Sequence, residues 1–233
     1  TGDGRWARIA INVAFWWSLL PVFIAVSHRM IPFFSANVIA DYIVIRPRWA
    51  LAVLVGASFV HGALALAGQG VLSWIADAPA AAVALWLSWR WRIRPALSVP
   101  LLGMLHIGFV WLGIGFLLFA VQAAGASAGY FWLGLAPLHA IGIGFFASIL
   151  LAMVSRVTLG HSGRPLKADR LTWSLFLALQ LVVLLRITAD LVPWALSATV
   201  MWIAAVGWLA IFTAWSVRYL PIYWRPRVDG KPG

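Results

Sequence analysis

The sequence predicts an all-α fold: a polytopic transmembrane helix bundle of about seven spans. Three observations carry this expectation. Hydrophobic residues make up 64% of the chain and charged residues 10%, where soluble domains carry about 25% charged residues. The apolar residues fall in continuous runs rather than in alternation, which disfavours a barrel. The net charge of +11 is held by residues lying almost wholly between those runs, as in loops near anionic lipid, so it does not point to nucleic acid.

The runs are 9–26, 49–67, 71–89, 97–124, 131–154, 171–191 and 194–217. Each is about 19 residues or longer, enough to cross the hydrocarbon core as a helix. The third is interrupted near its start by Asp77 and Pro79. The longest connection, 27–48, opens with SHRMIPFF (27–34), an amphipathic and aromatic stretch that suits the membrane interface. Trp16, Trp49, Trp74, Trp89, Trp132, Trp194, Tyr219, Tyr223 and Trp224 lie near run ends and read as interface anchors. Arg186 and Asp190, four apart in the sixth run, are expected to pair.

Counting Lys and Arg sets the orientation. Fourteen fall on one side, in the connections after runs one, three, five and seven, against three (Arg5, Arg8, Arg186) on the other. The crowded side is expected to be cytoplasmic, with the N-terminus of the chain outside and the C-terminus inside. The chain starts at Thr1 without a signal-peptide pattern. A single transmembrane domain over 1–233, forming the C-terminal part of a longer protein, is the expectation.

Composition narrows the chemistry. Cysteine and glutamate are absent and six aspartates serve the whole chain. Thiolate metal sites, paired-carboxylate hydrolysis and carboxylate-bridged metal pairs are disfavoured. Histidine remains as the strong ligand, and His61, His106 and His139 each lie inside an apolar run. Intramembrane ionisable residues are rare and usually functional. Depth along the helices predicts a single band holding all three, less than about 10 Å thick. Imidazole without thiolate suits haem iron or copper. His139 shares a helical face with Ile143, Phe146 and Leu150, a wall suited to a porphyrin. Beside it Ala140, Gly144, Ser148 and Ala152 form a small-residue stripe that suits helix packing. Gly103 and Gly113 give His106 clearance for a flat ring or for another helix. A hydrogen bond across a helix contact is the competing reading for each histidine. His28, beside Arg29, reads as a solvated interfacial residue.

The fifth run is followed by Arg156 and the tight segment LGHSGRP (159–165), which cannot continue as regular helix. Arg156, His161 and Arg164 are the candidates for holding an anion such as a haem propionate. A basic loop with a tight turn explains them equally well. Two other seven-helix designs do not fit. Neither lysine, Lys167 or Lys231, lies in a run, as a retinal linkage requires, and no run holds two histidines in the manner of a cytochrome b.

LAMVSRVTLGHSGRPL (151–166) resembles the signature of the NnrS family of bacterial membrane proteins, in which Thr is usual at the place of Ser162. RMIPFF (29–34), LHIGFVWL (105–112), YLPI (219–222) and RVDGKPG (227–233) are similar to further family stretches. The resemblance implies a multi-pass inner-membrane protein of about twelve helices, associated with haem and copper and linked to nitric oxide metabolism or resistance. The family's upstream H-x-H-E-M motif is not present here, and neither His28 nor His61 matches a family motif. Haem, with copper as a second possibility, is the implied cofactor. The implied partners are the bilayer, nitric oxide or another small ligand, upstream helices and other membrane proteins. A transporter or channel with a midplane polar site, and an assembly subunit, are the alternatives.

Overall fold

The computed structural model describes residues 3–230. These form eight helices and no strand: α1 (Gly4–Ala36), α2 (Arg48–Leu66), α3 (Trp74–Arg90), α4 (Ile93–Ala96), α5 (Pro100–Ser127), α6 (Ala136–His161), α7 (Arg170–Leu191) and α8 (Trp194–Tyr223). Six of them are long and apolar enough to cross a membrane. The third apolar run forms α3, whose 17 residues span about 25 Å at 1.5 Å each and leave it outside that six.

Helix ends follow local chemistry. Pro100 and Pro137 sit in the first turns of α5 and α6, where a missing N–H costs nothing. Asp169 caps α7 by accepting from the Thr172 amide at 2.8 Å, and it also pairs with Arg218 of α8. Burial alone would raise its pKa, but the Thr172 hydrogen bonds and Arg218 outweigh that and hold it below the ordinary aspartate value.

Several boundaries differ from the expectation. α1 runs on through Pro32 to Ala36, so SHRMIPFF belongs to the first helix rather than to the connection after it, and His28, expected to be solvated, is buried at 5% exposure beside Trp91. α3 passes through Asp77 and Pro79. α6 begins at Ala136 rather than 131, after Gly134 takes a left-handed φ of +50°, and it continues through His161 into the segment expected to end it. Trp16 and Tyr219 are buried rather than interfacial, whereas Trp49, Trp89, Trp132, Trp194 and Trp224 are exposed near helix ends.

α5 and α6 are the most buried spans, and α1 and α8 the least. Glycines let the central helices touch. A Cβ added at Gly113 meets Leu85 of α3, one at Gly108 meets Ile149 and Ser148, and one at Gly144 meets Trp111. The clearance at Gly113 and the small stripe of α6 therefore serve helix packing. Two π-helical segments interrupt this regularity, Val13–Leu19 in α1 and Ala140–Ala147 in α6.

The connections carrying most of the basic residues converge on one end of the bundle, called here the basic end. Trp91 and Arg92 hydrogen-bond to the 40–45 connection, Arg218 reaches Asp169, and Val228 N–H donates to Ser162 O.

Candidate functional site

The chain brings histidines and aspartates together at the end opposite the basic one. His61 of α2 has Nδ1 2.9 Å from both carboxylate oxygens of Asp77, which is fully buried. Asp77 lies in the first turn of α3, where the helix dipole favours a negative charge. Trp16 stacks on the His61 ring at 3.7 Å between centroids, and Phe119 of α5 stands edge-on at 4.6 Å. The π segment of α1 places Trp16, and its backbone is pinned from α2: Ser58 Oγ donates to Trp16 O and Trp17 Nε1 to Phe59 O.

The second pair joins α6 to α7. His139 Nδ1 is 3.0 Å from Asp190 Oδ2, and Arg186 donates to Asp190 Oδ1 at 3.0 Å. The expected Arg186–Asp190 pair is present, and His139 is the third member. His139 is the last residue before the π segment of α6. Ile143, one turn on, and Arg186 help line a cavity of about 270 Å³ with Val182, Met201 and Trp208. That lies just below the range of about 300–1,000 Å³ that encloses a drug-sized ligand. Phe15, Trp16, Phe119 and Phe146 form an aromatic bridge from His61 toward α6.

A histidine whose Nδ1 faces a carboxylate is held in one tautomer, donating from Nδ1 and leaving Nε2 as a basic lone pair. This is the usual preparation of a metal-ligating imidazole. Nε2 of His61 and of His139 has no hydrogen-bond partner among the described residues. Both aspartates were visible in the sequence as carboxylates inside apolar runs. Such groups require partners, a signal that reading Asp77 as an interruption missed.

His106 belongs to a different level. Its Nε2 is 2.9 Å from Ser35 Oγ near the end of α1, and its Nδ1 is buried without a partner. Gly108 lies against Ser148 and Ile149, so some eleven helical positions separate the level of His106 from that of His139, roughly 16 Å at 1.5 Å per residue. The three histidines do not share one band, and His106 and His139 cannot bind the same ion. The expected porphyrin wall along His139 is also broken, because the π segment rotates the residues beyond it. Among the described residues no group of three or more His, Cys, Asp or Glu is placed to hold a metal ion.

At the basic end, Arg156 and His161 line one cavity of about 490 Å³ together with Phe33, Phe34, Leu166 and Arg227. Arg164 is half-buried with an unpartnered Nη1 and does not line it. The GHSG turn is closed by the C-terminal segment: Gly163, at φ +72°, lies against the Asp229 carboxylate, Arg227 pairs with Asp229, and Tyr223 meets Thr158 at 2.6 Å. Three of the stretches noted in the sequence, around Phe33–Phe34, Arg156–His161 and Arg227, thus meet in space.

The sequence model of one family, described as NnrS protein, matches residues 1–227. No curated protein and no solved structure matches the chain.

Proposed function

This chain belongs to the NnrS family, and on that footing we propose that it serves a haem-associated inner-membrane protein in the response or resistance to nitric oxide. The observation that carries the haem reading is His139. Asp190 fixes its Nδ1, its Nε2 is without a partner, and the ring is half-buried rather than sealed in the core. The donor set fits haem better than copper. A single imidazole such as His139 would hold haem iron, whereas copper asks for several gathered donors; a copper site would need ligands from outside this chain. Bound here, the haem would supply an iron able to take a diatomic ligand. The protein's part would be to orient His139 through Asp190 and to neutralise Asp190 with Arg186, with Met201 and Trp208 of α8 as apolar wall. His61, prepared in the same way by Asp77, is the second candidate, and His106, tied to Ser35, the third.

Single His139→Ala, His61→Ala and His106→Ala variants of the full-length protein, purified in detergent, test this. His139→Ala should lose most of its haem, at least about tenfold, together with the nitric-oxide-induced shift of the Soret band. A variant with unchanged haem content and unchanged shift would remove His139 from the site. A colourless wild type of good fold would favour the transporter, with the His–Asp pairs lining its polar path.

We also place the basic end in the cytoplasm, from the fourteen-to-three division of Lys and Arg and the positive-inside tendency. An alkaline phosphatase fused after Gly233 should be inactive and a green fluorescent protein at the same point fluorescent. The reverse result would invert the orientation.

A further inference from the structure

The cavity at the basic end holds a charge that the chain does not answer. Arg156 is only 9% exposed and has no ion pair among the described residues; its guanidinium lies 4.0 Å over the Phe34 ring. The described carboxylates that form ion pairs have other partners: Asp77 with His61, Asp190 with Arg186 and His139, Asp169 with Arg218, and Asp229, beside the cavity, with Arg227. A cation buried this far is costly unless an anion meets it. The stacking on Phe34 holds the guanidinium plane in place, as suits recognition of a planar or tetrahedral oxyanion.

The walls describe the rest of the ligand. Phe33, Val157 and Leu166 line the cavity and are 50%, 46% and 49% exposed. An apolar, outward-facing rim around a guanidinium that faces the cavity suits an anion attached to hydrocarbon. The cavity lies where α1 and α6 end, among the basic connections, a position that suits headgroup phosphates. Basic pockets between helices at this level are suited to anionic lipid headgroups.

We propose that this cavity binds the phosphate of an anionic phospholipid, with Arg156 as its main contact, His161 and Arg227 at its rim, and the acyl chains running out past Phe33 and Leu166. The site is remote from His139 and does not rest on the haem reading. The test uses full-length protein, delipidated in detergent and titrated with phosphatidylglycerol or phosphatidylcholine, with bound lipid counted by native mass spectrometry.

Phosphatidylglycerol should bind at least about tenfold more tightly than phosphatidylcholine, whose phosphate is the same but whose choline cation would face Arg156 and Arg227. Arg156→Met should abolish that preference, and Arg94→Gln, at the same end but outside the cavity, should leave it intact. Inorganic phosphate at millimolar concentration should not compete. Equal binding of the two lipids, or an unchanged preference in Arg156→Met, overturns the proposal. Full competition by phosphate would make the ligand a free anion and overturn the lipid assignment. Loss of haem from Arg156→Met with lipid preference retained would assign the arginine to a propionate instead. If Arg156→Met fails to fold, the comparison of lipids and phosphate on wild-type protein still decides.

Discussion

Gly144→Leu is expected to be the most damaging single substitution in the bundle. A Cβ at Gly144 would lie 2.6 Å from Trp111 Cγ and 2.9 Å from Trp111 Cβ, atoms at the root of the indole that no rotamer change moves far. The indole is also fixed at its other edge. Trp111 Nε1 donates to Gln180 Oε1 at 2.8 Å, and Gln180 Nε2 donates to Ser148 Oγ at 3.1 Å. Relief of the clash therefore parts α5 from α6 or breaks a half-buried hydrogen-bond chain. The cost should reach or pass the top of the overpacking range, about 3 kcal/mol. Gly142→Ala, two residues away with nothing within 4 Å of the new Cβ, should be neutral or should stabilise by up to about 1 kcal/mol. Heating in detergent followed by size-exclusion recovery of the folded monomer compares the two. Equal recovery of Gly144→Leu and wild type would show that the α5–α6 seam yields more easily than this packing implies.

The second large effect is expected at Asp190. Asp190→Asn keeps the shape but leaves the Arg186 guanidinium, 17% exposed in its side chain, without a counter-charge. Breaking such a pair from one side costs about 3–5 kcal/mol. The lower figure is expected here, because Arg186 sits near the end of α7 and its stem can extend toward water. Arg186→Gln with Asp190→Asn should recover most of the loss, since no charge is then left unanswered. Unfolding of the two single variants and the double variant gives the coupling directly. Additive losses would mean that the ion pair adds little, and that Asp190 acts through His139 alone.

How much of this was legible in the sequence follows from what each residue needs. The apolar runs marked the helices, because a bilayer demands length and apolarity of each span alone. Their ends were less legible. The run ending at Val154 became a helix ending at His161, since Arg156 and His161 are accepted in helix where they line a cavity. The Arg186–Asp190 pair was readable from a spacing of four within one helix. The pairs His61–Asp77 and His139–Asp190 span 16 and 51 positions, and no local pattern announces them. The depth argument failed for a further reason. Each depth was counted from the cytoplasmic end of its run, and α6 continues to His161, seven residues past the end of its run at Val154. The π segments defeated the wheel drawn from His139, because an added residue in a turn rotates everything after it.

The strap across the GHSG turn has a consequence for biosynthesis. Ser162 and Gly163 are held by Val228 and Asp229, residues translated more than sixty positions later. At about 5–20 residues per second, the turn waits roughly 3–13 s on the ribosome before its cover exists. During that interval α6 can already be inserted while Arg227 and the segment behind it have not been made. The cavity beside Arg156 then has one wall missing, and a lipid or other amphiphile reaches the guanidinium sideways, without any opening of the finished bundle. Once Val228 and Asp229 are in place, Arg227 completes the wall, and later exchange runs past the exposed rim of Phe33 and Leu166.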